Sequence, residues 1–249
     1  MSARRRHGGR NALLLVAALF ALWQAMYWAV GDAALSSPLA TLRYTANLVT
    51  GENFRMHLFD TMRAFTIAFV LSVVIGLLVG FWLGFDRLSG DALEPMIVTV
   101  YAIPKLTLYP ILLLAFGLGL SAKVAFGVLH GTIPIILFTL GAVRNTKPIL
   151  LKTGHVLKLS RPQMVRWILF PAAIPELFTG LRVGFSLTLI GSLLAEMFAS
   201  QRGLGYLLMN GIGLHNIELV MSVTLLIVVF AASVSTLLLH IDRRLHRQE

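Results

Sequence analysis

RNTKPILLKTGHVLKLSRPQMVRWILFPAAIP, residues 144–175, is the one long polar interruption in the second half of a very apolar chain. It carries Arg144, Lys147, Lys152, Lys158, Arg161 and Arg166, and contains no acidic residue, the next being Glu176. Apolar segments long enough to cross a bilayer flank it on both sides. Positive residues near span ends resist translocation, so a basic loop between two spans lies on the cytoplasmic side. The stretch therefore predicts an integral membrane protein whose spans are organised around a cytoplasmic loop that meets a soluble partner.

The composition agrees. The chain has 249 residues, of which 57% are hydrophobic and 13% charged, with mean hydropathy +0.81. A soluble domain of this length would need more charge on its surface, whereas membrane spans need about 20 mostly apolar residues each. The net charge of +10 does not point to nucleic acid, because the cations cluster at span ends and in the loop. There is no cysteine, which excludes disulfides, thiolate metal sites and cysteine nucleophiles.

Six spans are expected, at about 12–30, 61–85, 95–118, 122–143, 176–198 and 217–241. Trp23, Tyr27 and Trp28 end the first as an interfacial cluster, and its length exceeds the apolar core of a cleaved signal peptide. Residues 31–60 read as a weakly amphipathic external connection. Gly76, Gly80 and Gly84 recur every four residues, placing a close-packing face on the second span. The third holds Pro104 and Pro110. Pro175 and Glu176 suit the start of the fifth, and 199–216 reads as a glycine-rich external loop. An even number of spans puts both termini on one side. Arg4, Arg5, Arg6, Arg10, Arg87, the loop cations, Arg243, Arg244 and Arg247 then fall inside, so both termini are expected to be cytoplasmic. The resulting division is 1–56 (basic tail, first span, external segment), 57–241 (five-span core with loop 144–175) and 242–249 (cytoplasmic tail).

Enzymatic motifs are missing from the sequence. There is no G-x-x-x-x-G-K-[ST] phosphate loop, no H-E-x-x-H and no G-x-S-x-G elbow. The seven histidines show no paired metal-ligand spacing, so neither a metal nor a cofactor is expected on this chain. Candidate pathway or interface residues are Lys105, His130, Arg182 and Glu196, because ionisable groups within spans face protein or water rather than lipid.

The opening stretch resembles a cytoplasmic motif of the membrane subunits of binding-protein-dependent ABC importers, E-A-A-x(3)-G-x(9)-I-x-L-P. With the motif's acid on Lys152, its alanines fall on Thr153 and Gly154 and its glycine on Lys158. Its isoleucine falls on Ile168, its leucine on Phe170 and its proline on Pro171. The spacing is kept, while the acid and glycine positions are lysine. Further similarity runs through HLFDTMRAFTIAFVLSVVIGLLVGFWLGFDR, YAIPKLTLYPILLLAFGLG, GLRVGFSLTLIGSLLAEMF and RGLGYLL, over about residues 57–240. These stretches resemble the nitrate/sulfonate/taurine-type branch of the family.

The resemblance implies an all-α type I importer permease in the bacterial plasma (inner) membrane. It implies a second permease copy as a homodimer, two cytoplasmic ABC ATPase subunits that bind ATP and Mg, and an external solute-binding protein. The coupling loop would be carried by Leu151, Lys152, Thr153, Gly154, Leu157, Lys158, Ile168 and Pro171. Leu150, Leu151, Val156, Leu157 and Leu159 would offer an apolar docking face ringed by lysines. The solute expected is a small organic anion such as a sulfonate or nitrate. The competing readings are an ion-coupled secondary transporter, which needs carboxylates within its spans, and a non-transporting membrane anchor.

Overall fold

A computed structural model describes residues 3–32 and 34–245, and every regular element among them is helical. Arg247 and the end of the expected tail, 246–249, fall outside the described residues. The helices are α1 (Ala3–Val30), α2 (Pro38–Thr50), α3 (Glu52–Phe85), α4 (Arg87–Ala102), α5 (Tyr109–Phe116), α6 (Leu120–Arg144), α7 (Pro148–Val156), α8 (Arg161–Met164), α9 (Phe170–Ala199), α10 (Leu204–Gly213) and α11 (Ile217–Leu245). Four continuous helices are long and apolar enough to cross a bilayer: α3, α6, the helix Pro162–Ala199 and α11 through His240. A bent pair spans α4 and α5, and α1 contributes the shorter apolar stretch Leu14–Val30.

The core is the trio α3, α6 and α9. Gly76 of α3 lies on Ile135 of α6, Gly80 on Thr139 and Gly84 on Val143, one four-residue step after another. A Cβ on Gly80 would stand 2.5 Å from the Thr139 Cβ. Helices in lipid gain little from the hydrophobic effect between them, so close backbone contact through small residues is what binds them. On the α9 side, Gly180 receives Phe138 and Gly184 receives Ile135. The glycine face is thus filled from within the same chain.

Several elements depart from the linear pattern. The third span is not a single helix beginning at Pro95. It starts at Arg87, passes through Pro95 and stops at Ala102. Ile103 is extended because the residue before a proline is pushed out of the helical region, and Pro104 supplies no N–H to continue. A 3-10 turn at Lys105–Leu108 then leads to α5, which has a proline, Pro110, in its first turn. The axis bends by 89°.

The fifth span does not begin at Pro175 and Glu176. Pro175 is inside α9, whose first turn holds Pro171, and the continuous helix reaches back to Pro162. A π-helical turn at Val165–Leu169 precedes Pro171, with the Phe170 amide reaching the Val165 carbonyl. In a straight helix the Pro171 ring would clash with the carbonyl four residues earlier, and the widened turn sits where that carbonyl must move. Pro171 is thereby accommodated, and Pro175 lies one turn further inside α9.

The connection 31–60 is also structured. Ser37 caps α2, its hydroxyl accepting from the Ala40 amide at 3.2 Å, and Pro38 occupies the first turn. This is the favoured start of a helix. The boundary expected at 56/57 falls inside α3, which begins at Glu52. The expected loop 199–216 contains α10, which packs with α2, α3 and α11 around Phe54, Leu204, Leu207, Leu219 and Val223.

Candidate functional site

Two regions concentrate polar chemistry, one at each end of the core trio. At the end where α6 stops and α9 starts, α7 forms a short arm. Its turn is set by Lys158, at φ +52°. The Leu159 amide donates to the Gly154 carbonyl at 3.0 Å and the Lys158 amide to the His155 carbonyl at 3.0 Å. This paired pattern is a Schellman closure, whose left-handed residue is usually glycine. The aligned motif has glycine at that position, so its backbone requirement survives here beneath a lysine side chain.

Lys158→Gly is accordingly expected to stabilise the arm by about 1 kcal/mol, since a left-handed L-residue costs roughly 1–2 kcal/mol. Slower hydrogen exchange of the Leu159 amide would show it; faster exchange would contradict it.

Gly154 is buried against Met164, and a Cβ on it would lie 3.6 Å from Ile168 Cγ1. Two aligned motif positions thus meet face to face and seat α7 on the α8–α9 helix. Pro171 lies in the first turn of α9 and is exposed. Leu151 is half-buried, while Lys152, Thr153, Leu157 and Lys158 are exposed. Of the expected apolar face, Val156 (81% exposed) and Leu157 (62%) stand open, Leu150, Leu151 and Leu159 are half-buried, and Ile149 (65%) is open beside them. Ile149, Lys152, Thr153 and Val156 follow the helical repeat and share one outer stripe. Arg144, counted with the loop cations, is held back by Asp91 and Glu94 of α4, each at 2.7 Å.

At the opposite end, Glu196 is fully buried at 0% exposure. Its Oε1 faces Lys123 Nζ of α6 at 3.4 Å, and its Oε2 accepts from Thr61 Oγ1 at 2.8 Å and the Gly205 amide at 3.1 Å. Lys123 Nζ also donates to the Arg202 carbonyl at 2.7 Å and lies 3.9 Å from Asp60. The Leu204 amide donates to Thr61 Oγ1 at 2.8 Å, and the Gly203 amide to His57 Nδ1 at 3.0 Å. Gly203 is at φ +118° with Glu196 pressed against it, so this turn needs the missing side chain. The sequence signal for the pair was weak. Lys123 is a lone cation near a helix start, and nothing local joins it to a carboxylate 73 residues away.

The pathway candidates are not gathered into one site. Lys105 turns back on its own helix, donating to the Tyr101 carbonyl at 2.9 Å with Nζ 4.6 Å from the Tyr101 ring centre. It thereby satisfies a carbonyl freed by the break. His130 Nδ1 lies 2.9 Å from the Phe126 carbonyl, and its ring rests on Gly191. Arg182 is half-buried on α9 and makes no ion pair among the described residues. Among the described residues no cluster of three His, Cys, Asp or Glu side chains could hold a metal ion.

Comparison with known proteins sets this geometry in a family. The aliphatic sulfonates transport permease protein SsuC of Bacillus subtilis, so named on a putative basis, is 26% identical over 83% of this chain and 76% of its own length. The nitrate import permease protein NrtB of Synechocystis is 27% identical over 77% of this chain and 72% of its own. An inward-facing structure of the MetNI methionine ABC transporter shares the fold, with a TM-score of 0.68 at 18% identity, covering 76% of this chain and 94% of that one. The family model for the inner membrane component of binding-protein-dependent transport systems matches residues 72–247. The chain belongs to that family: it is a multi-pass inner-membrane permease subunit of an ABC importer, and such subunits are not themselves enzymes.

Proposed function

We propose that this chain forms, with a second copy of itself, the solute pathway of an ATP-driven importer, and that 144–175 is its coupling element. The bent α4–α5 pair and the Leu14–Val30 stretch complete six spans with both termini cytoplasmic. ATP and Mg belong to two ATPase subunits docked on the α7 arms, and an external binding protein delivers the solute. The observation that carries the reading is the arm itself: a short helix seated through Gly154 that leaves Ile149, Val156 and Leu157 open at the cationic end of the bundle. Open apolar anchors ringed by charge are what a docking helix presents.

The break at Ile103–Pro104 supports a pathway or a dimer contact nearby. Non-helical backbone at membrane depth is tolerated only where protein or water covers it, and Ile103 and Leu106 are exposed on a single chain. The solute is a small anion, by the sulfonate and nitrate permeases it resembles. An ion-coupled mechanism draws no support from Glu196, because that carboxylate is tied to Lys123 and two further donors.

Between Asn145 and Pro175 there is no carboxylate, so the cognate ATPase groove is expected to be acidic, by charge complementarity at an interface. Lys152→Glu with Lys158→Glu should abolish co-purification of the ATPase and ATP-dependent uptake in proteoliposomes. Retention of the ATPase at parental yield would reject the acidic groove.

A further inference from the structure

Beside the buried Lys123–Glu196 pair, where α3, α6 and α9 reach the end away from the arm, a cleft of about 490 Å³ opens. Asp60, Arg63, Gly119, Lys123, Ser200 and Arg202 are among its lining residues. Its volume lies in the range of small-molecule sites. Lys123 is already committed to Glu196 and the Arg202 carbonyl, and Asp60 lies 3.9 Å from that same ammonium.

The side chains of Arg63 and Arg202 are different. Both residues are exposed, and neither forms an ion pair among the described residues. They come from separate elements, α3 and the turn after α9, and meet at one concavity. Guanidinium forks match the paired oxygens of sulfonate, nitrate and carboxylate groups. The first turn of α6 forms another wall: its cap residue is Gly119, at φ +124°, with no side-chain cap. The amides there carry the positive end of a 25-residue helix. Three cations line the cleft against the one carboxylate of Asp60, and counting the buried Glu196 behind Lys123 still leaves a positive excess, so the local field favours an anion.

We propose that this cleft is a receiving site for a small oxyanion, held by Arg63 and Arg202 before it enters the pathway. The proposal rests on the importer reading, which puts this end of the bundle on the outer side of the membrane. It adds a point of solute selection on the permease itself.

The permease–ATPase complex, purified in detergent and in phosphatidylglycerol nanodiscs, is titrated calorimetrically with methanesulfonate and with nitrate. Saturable binding of at least one probe is expected, weakened about tenfold or more by Arg63→Gln with Arg202→Gln, and partly restored by the lysine pair Arg63→Lys with Arg202→Lys. Melting temperatures of all variants are compared, so that loss through misfolding is recognised. Three results overturn the proposal: no saturable binding of either probe, binding unchanged in the double glutamine variant, or binding in detergent that vanishes in phosphatidylglycerol, which would assign the cleft to a lipid headgroup. Uptake in proteoliposomes separates the two readings. ATP-driven anion uptake with an unchanged KM in the glutamine variant defeats the cleft alone, whereas absence of any ATP-driven uptake defeats the importer reading beneath it.

Discussion

Glu196→Gln is expected to destabilise the permease by about 3–5 kcal/mol, the cost of breaking a buried ion pair from one side. The substitution keeps the shape of the side chain, so packing is not the cause. It leaves Lys123, 4% exposed, with only the Arg202 carbonyl at 2.7 Å and a carboxylate at 3.9 Å. It also turns an amide N–H₂ toward either the ammonium or the Gly205 and Thr61 donors, since one amide oxygen cannot serve both sides. Thermal unfolding of the detergent-purified protein should fall on the order of 10 °C. Adding Lys123→Met should recover a large part of the loss, because an apolar group of similar length removes the stranded charge. A single variant that melts with the parent would show that the pair is not structural.

Ile149→Asp with Val156→Asp should weaken ATPase docking roughly a thousandfold, two anchors at about 2 kcal/mol each. Both side chains stand open, at 65% and 81% exposure, so the permease should fold and insert as the parent does. Leu150→Asp is the contrast. That residue is half-buried, and the same change there should lower the melting temperature before it affects the partner. Co-purification of the ATPase with each variant, together with ATP-dependent uptake, distinguishes the two. Normal association of the doubly substituted arm would mean that the partner does not use the outer stripe of α7.

The membrane class, the basic loop and the family were legible from the chain. Each depends on properties that add along the sequence: runs of apolar residues, clusters of cations at their ends, and a motif spacing that survives changes in its chemistry. Lys158 shows the limit of that reading. Its side chain departs from the aligned glycine, yet its φ of +52° keeps the turn, because backbone hydrogen bonds and not the side chain close it.

What only the tertiary structure decided are the interactions between elements distant in sequence. Prolines at 104 and 175 carry the same local signal, and one breaks its helix by 89° while the other is carried inside α9. A proline removes the same donor in both places; whether the helix continues depends on what packs around it. Which apolar side chains of α7 stand open likewise depends on how Gly154 seats the helix. The Lys123–Glu196 pair, and the guanidiniums of Arg63 and Arg202 beside it, come from elements whose arrangement in the bundle no local pattern encodes. Hydropathy is a sum over neighbours in the chain, whereas a buried charge is tolerated only by its neighbours in space.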